Sequence, residues 1–225
     1  MYPGVVLVEG VPGVGKGTLL RGIEKVHNEK YPGGKFEDKY TVVSFSGKLV
    51  GSLNTKDRDA IRRMLKSPQD ALTYQQKVYD EIFTEVETPK VVLVDTHSSV
   101  WYPLAEQWGD GLPTEVVDRH GPFECCYKPF AIALVEPESI TSLETQRAGD
   151  NSRDRRGFPE IRKSLIEEKR RAISSAFYAD CFDYTAPRFE IFKNRFGKVR
   201  ETAQDLFGFV ENIYKCVEYG KNFKP

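Results

Sequence analysis

The stretch from Gly10 to Thr18, reading Gly-Val-Pro-Gly-Val-Gly-Lys-Gly-Thr, leaves this chain few folds to choose from. The apolar run Val5-Val6-Leu7-Val8 leads into it, and an amphipathic segment from Thr18 to about Asn28 follows. The glycines therefore sit where a buried strand gives way to a helix, which is the context a phosphate-binding loop requires. Gly10, Gly13 and Gly15 can adopt positive φ and bring backbone N–H groups close to an anion, while the helix points its positive end at the same place. Val14 lies within this turn, and Lys16 adds a full positive charge. The plainer alternative is a glycine-rich turn with a solvated lysine. Gly17 stands where many nucleotide-binding loops carry the hydroxyl that ligates Mg²⁺ directly, and Thr18 comes one place later. An ion here is expected to be held mainly by phosphate oxygens and water, which suits Mg²⁺ because it dehydrates reluctantly.

Similar short apolar runs recur at Thr41 to Phe45, Val91 to Val94, Phe130 to Val135 and Phe189 to Phe192, each separated from the next by helix-patterned sequence. That alternation predicts an α/β fold with at least five strands in a parallel sheet covered on both faces. Among the helices, Tyr74, Val78, Ile82 and Val86 are four apart. Ala203, Leu206, Phe207, Val210, Ile213, Tyr214 and Val217 form a nearly continuous stripe, and Ile161, Leu165, Ile166, Ile173, Ala176 and Phe177 mark a third. The first two stripes are expected to be core faces, and the third marks another long helix, preceded by Pro159 near its first turn. Gly33-Gly34, Trp108 to Pro113 and Gly121-Pro122 are expected loops.

At 225 residues and 40% hydrophobic content the chain can bury one sizeable core, so a single domain over 1–218 with a frayed tail at 219–225 is expected. Lys plus Arg and Asp plus Glu both number 33. With no net charge, no global field recruits nucleic acid or an anionic membrane, and any anion site must be local. The N-terminus lacks the basic segment of a secretion signal, and no apolar run is long enough to span a bilayer. Cys125, Cys126, Cys181 and Cys216 show no zinc-type spacing. They are expected to be reduced thiols of a cytoplasmic protein rather than a redox or metal site.

Three further clusters suit phosphate chemistry. Asp95-Thr96-His97-Ser98 follows the strand at Val91 to Val94, and in an open parallel sheet ligands collect beyond the carboxyl ends of strands. Asp95 is then placed to orient Mg²⁺-bound water, or else caps a turn, and His97 either packs or touches substrate. Arg58 and Arg62 are four apart on a predicted helix, forming a fork for a phosphate or an ordinary salt-bridged face. Residues 147–157 carry Arg147, Arg153, Arg155 and Arg156 between glycines, which suits a lid bringing guanidinium groups onto a phosphate chain, or an exposed loop.

With these residues placed, the chain resembles archaeal adenylate kinases. The loop from Gly10 to Thr18 with its internal Pro12 is similar to theirs. So are Asp57-Arg58-Asp59-Ala60-Ile61-Arg62, Asp95-Thr96-His97-Ser98 followed by Gly111-Leu112-Pro113, and Gly149-Asp150-Asn151-Ser152-Arg153-Asp154-Arg155. Segments 30–39 and 101–130 look longer than the family's. The resemblance implies the three-layer sandwich of P-loop nucleoside monophosphate kinases, with a five-stranded parallel sheet and a small arginine-bearing lid at about 147–158. It implies ATP phosphates on Gly10, Gly13, Val14, Gly15, Lys16, Gly17 and Thr18. AMP is implied on Arg58, Arg62, His97, Ser98, Gly111, Leu112 and Pro113, within regions at about 46–66 and 95–120. It also implies catalysis by Lys16, Arg153 and Arg155, Mg²⁺ as cofactor through Asp95 and water, and a homotrimer. The reaction implied is ATP + AMP ⇌ 2 ADP. The alternatives are a kinase for another nucleoside monophosphate, and a nucleotide-driven switch or assembly factor.

Overall fold

The computed structural model describes residues 4–54, 65–84, 90–112, 130–148, 159–180, 189–195 and 197–220. Five strands, β1 (Gly4–Glu9), β2 (Tyr40–Ser44), β3 (Val91–Asp95), β6 (Phe130–Pro137) and β7 (Phe189–Asn194), form one sheet in the order β2-β3-β1-β6-β7. Every pairing in it is parallel. These are the five strands expected from sequence, with the glycine loop leaving the central one.

Strand alternation sends neighbouring residues to opposite faces, and the core divides accordingly. Val6, Val8, Leu93, Ala131 and Ala133 face helix α1 (Lys16–Lys30) and the C-terminal helix α6 (Val199–Gly220), which packs with Leu206, Phe207, Val210, Ile213 and Val217 inward. Val5, Leu7, Val92, Val94, Ile132 and Leu134 face Val78, Tyr79 and Ile82 of α3 (Pro68–Thr84) and Ala172 and Ala176 of α5 (Ile161–Asp180). Burial on both sides is the reason the central strands read as unbroken Val/Leu runs instead of alternating. Two shorter helices, α2 (Phe45–Ser52) and α4 (Ile140–Ala148), complete the described set. Among the described residues no helix is long and apolar enough to cross a membrane.

Three expectations need correction. Phe45 does not end a strand; it opens α2, because the Ser44 hydroxyl accepts the Gly47 N–H at 3.2 Å and caps the helix there. Trp108 does not begin a loop. It belongs to β5 (Gln107–Asp110), paired antiparallel with β4 (Ser99–Tyr102) and held by the edge-on contact of Trp101 with Trp108 at 5.3 Å. Tyr74 is exposed on α3, and Val86 lies outside the described residues. On α5, Ile161 and Leu165 pack partly buried against the core and Ala176 is buried, whereas Ile166, Ile173 and Phe177 are exposed; the buried row among the described side chains is Ser164, Glu168, Ala172 and Ala176, four apart. Small residues there let α5 approach the sheet closely, and the charged member of the row is carried inside.

Candidate active site

The phosphate loop is shaped by contacts that exclude any side chain at two positions. Gly10 has φ +143° and a Cβ there would lie 2.4 Å from the Val135 carbonyl; Gly15 has φ +92° and a Cβ would meet Asn194 Nδ2 at 2.5 Å. Gly15 starts α1 without a side-chain cap among the described residues, so the first amides of the helix are directed at the loop's mouth. Val14 is buried with its N–H on the Val11 carbonyl, and Gly13 lies against Arg147. Thr18 is exposed, its N–H on the Gly15 carbonyl and its hydroxyl accepting from Arg21.

Lys16 does not wave in solvent. It is 6% exposed, donates to the Gly10 carbonyl at 2.6 Å and stands 3.7 Å from Asp95 Oδ1. His97 Nδ1 also lies 2.6 Å from the Gly10 carbonyl. A carbonyl only accepts, so that contact requires the proton on Nδ1, the nitrogen that also lies 3.3 Å from Lys16 Nζ. Asp95 ends β3 in register with Val8, and Gly17 brings the helix to within reach of its other oxygen: a Cβ on Gly17 would sit 3.9 Å from Asp95 Oδ2. A partly exposed carboxylate beside a glycine suits a hard, strongly hydrated cation. Among the described residues no group of three or more His, Cys, Asp or Glu side chains forms a metal cage, so such an ion would draw most of its ligands from phosphate oxygens and water.

The Asp95–Ser98 turn and the Gly111–Leu112 pair meet. Gly111 donates to the Ser98 carbonyl at 2.8 Å, and a Cβ on Gly111 would fall 1.5 Å from the His97 carbonyl. Tyr79, through its hydroxyl, donates to the Gly111 carbonyl at 3.1 Å. Ser98 and Leu112 are both buried, the first bonded to Glu9 and the second in the core beneath the turn. Arg58, Arg62, Pro113, Arg153 and Arg155 lie outside the described residues.

Proteins similar to this chain are known. An adenylate kinase of Pyrococcus furiosus is 33% identical over 175 residues, covering 78% of this chain and 80% of that protein. This chain belongs to the archaeal adenylate kinase family. An adenylate kinase of Methanococcus vannielii is 28% identical over 213 residues, 92% of this chain and 97% of that one. Among solved structures, thymidylate kinase from Candida albicans superposes with a TM-score of 0.50 at 12% identity, over 96% of this chain and 94% of that one, which speaks for the fold alone. No profile of a known protein family matches the chain. Membership in the adenylate kinase family makes the protein a phosphotransferase of the nucleoside monophosphate kinase type.

Sequence reasoning missed four groups around this adenylate kinase site. Asn194, at the carboxyl end of β7, donates from Nδ2 to the Val14 carbonyl at 2.7 Å. Arg147, read only as part of the arginine-rich segment, grips the Pro12 carbonyl with Nε and Nη2 at 3.0 and 2.9 Å. Glu9 and Glu168 are both buried beside the loop. Burial, and next the charge of Glu168, push the Glu9 carboxyl up to about 8, against the opposing pull of the Ser98 hydrogen bond and the Lys16 charge. Glu9 Oε1 has no hydrogen-bond partner among the described residues. The available signal was positional: a glutamate closing an all-apolar strand, and another in an i, i+4 row of small residues.

Proposed function

We propose that the protein catalyses the reversible Mg²⁺-dependent reaction ATP + AMP ⇌ 2 ADP. The observation that carries the reading is the convergence at the mouth of the glycine loop, where Lys16 stands within 4 Å of both Asp95 and His97 and shares the Gly10 carbonyl with His97.

The β- and γ-phosphates of ATP lie on the amides from Gly13 to Thr18, and Lys16 leaves the Gly10 carbonyl to bridge them. Charge on the transferring group is spread over its equatorial oxygens, so positioning and electrostatic stabilisation supply most of the catalysis. Arg153 and Arg155 close over the triphosphate. AMP lies between Arg58 and Arg62 on one side and the segment from His97 to Pro113 on the other. The AMP phosphate oxygen is already ionised at neutral pH, and the acceptor requires no general base. Asp95 would hold Mg²⁺ through water, and the ion, when bound, would supply positive charge to the phosphates.

Nucleotide conversion decides the substrate. With ATP and Mg²⁺ present, ADP formation is measured after adding AMP, CMP, UMP or GMP separately. AMP is expected to give the fastest conversion. Conversion fastest with another monophosphate would move the acceptor, and ADP release no faster with any of them than with water would reduce the activity to nucleotide hydrolysis by a switch or assembly factor. The homotrimer implied by the resemblance is tested by light scattering on the eluting protein, where a mass of three chains is expected.

A further inference from the structure

Glu168 sits on the inward row of α5 and is 2% exposed. One carboxylate oxygen, Oε1, accepts the Gly10 N–H at 3.0 Å and the Ser98 N–H at 2.9 Å; the other, Oε2, accepts the Ser99 N–H at 3.1 Å and the Ser99 hydroxyl at 2.6 Å. Four donors from two different loops therefore converge on one side chain from a third element. Such charge-assisted bonds are stronger than neutral ones, and their geometry is short and directional.

The two loops have different tasks under the reading proposed above. Gly10 opens the donor loop, and its carbonyl is the one that Lys16 and His97 share. Ser98 opens the acceptor segment, and its carbonyl holds Gly111. β1 and β3 already place these turns side by side, with Val8 level with Asp95. Beyond the last paired residues the ladder stops, and the carboxylate takes over. Nearby, α5 also reaches the hairpin that extends the acceptor segment: Arg171 is bonded to Asp110 and, within its own helix, to Glu167 at 2.7 Å.

We propose that Glu168 is a positioning residue for phosphoryl transfer, clamping Gly10 of the donor loop to the Ser98–Ser99 corner of the acceptor segment and so setting the span between the two nucleotides. This rests on the adenylate kinase reading. In-line transfer between two bound phosphates is sensitive to that span, since a displacement of about 1 Å can cost about a hundredfold in rate. Glu168 touches neither nucleotide. Its loss is therefore expected to appear in turnover and in the binding of a ligand that occupies both sites, and not in the binding of either nucleotide alone.

Glu168→Gln is the informative variant, because it keeps the shape but turns an NH₂ group toward N–H donors that only a carboxylate can satisfy. With the wild-type AMP-dependent activity established first, kcat is measured on protein whose active fraction is known by site titration. Affinities for ATP alone, AMP alone and a two-nucleotide bisubstrate analogue are measured by calorimetry. The expectation is a kcat lower by about 10- to 100-fold, single-nucleotide affinities within about threefold of wild type, and bisubstrate affinity weakened by at least about tenfold. A residue that only stabilises the fold would lower the melting temperature and the active fraction while leaving kcat per active site and the bisubstrate affinity unchanged; that result overturns the proposal. Should Glu168→Gln not yield folded protein, Ser99→Ala removes a single donor. It is then expected to lower kcat and bisubstrate affinity together by about threefold, in line with one hydrogen bond, and unchanged values overturn the proposal. Absence of AMP-dependent turnover in the wild type is a separate result and refutes the adenylate kinase reading instead.

Discussion

Asn194 and Val14, 180 residues apart, are joined by a 2.7 Å hydrogen bond that ties the end of the edge strand β7 to the middle of the phosphate loop. The same Nδ2 occupies the space a side chain on Gly15 would need. The loop's curvature is thus set from outside itself. Asn194→Ala is expected to leave the buried Val14 carbonyl unpaired, at about 1–3 kcal/mol. Part of that loss should appear as ATP affinity weakened by roughly tenfold, read by calorimetry, with AMP affinity unchanged. Equal weakening of both nucleotides would show that the brace supports the whole fold and not the loop.

Lys16 carries the charge that the donor site depends on. Lys16→Met preserves most of the buried stem and is expected to fold, with a melting temperature near wild type. Turnover should fall by at least the ~3–4 kcal/mol typical of removing one preorganised donor to the transferring group. Near-normal turnover in a coupled assay would remove Lys16 from its assigned role.

Glu9 predicts a pH dependence of stability. Its carboxyl is raised in the folded protein from an ordinary 4.5 to about 8, by burial first and by Glu168 second. A carboxyl raised on folding favours the folded state while it holds its proton; that contribution is complete below the ordinary value and is lost as pH rises through the folded one. The wild type is therefore expected to lose stability between about pH 5 and 8, with a slope from this group of at most roughly 1.4 kcal/mol per pH unit. Glu9→Gln, neutral throughout, should flatten that slope in denaturant titrations taken at successive pH values. Parallel slopes for the two proteins would contradict the burial of a protonated Glu9.

Gly111 is pressed onto the His97 carbonyl at a distance that admits no Cβ. Gly111→Ala is expected to push the segment off the Asp95–Ser98 turn, raising the KM for AMP more than that for ATP and lowering the melting temperature. A variant with unaltered AMP kinetics would separate this contact from the acceptor site.

Much of this site was legible in the residues themselves, and the reason is locality. Strand, glycine turn and helix follow one another between Gly4 and Lys30, so a nine-residue pattern carries the loop's conformation, and the alternating apolar runs carry the five strands. The resemblance implied only that Asp95–Ser98 and Gly111–Leu112 belong to one acceptor region; their contact is visible in the fold alone, since their spacing states none. The inward row of α5 does not follow from helical periodicity, which ranks residues by hydrophobicity, while the packed face takes Ala172 and Ala176 for their size and Glu168 for its bonds.

The sequence by itself determined that a glycine-rich turn leads from a buried strand into a helix with Lys16 at its start. Tertiary structure decided the strand order that sets β3 beside β1, the Asn194 brace on Val14, and the burial of two carboxylates behind the loop. The physical reason is that a buried glutamate is tolerable only where donors are supplied, and those of Glu168 come from residues 69 to 158 positions away. No window along the chain contains both the charge and the groups that satisfy it.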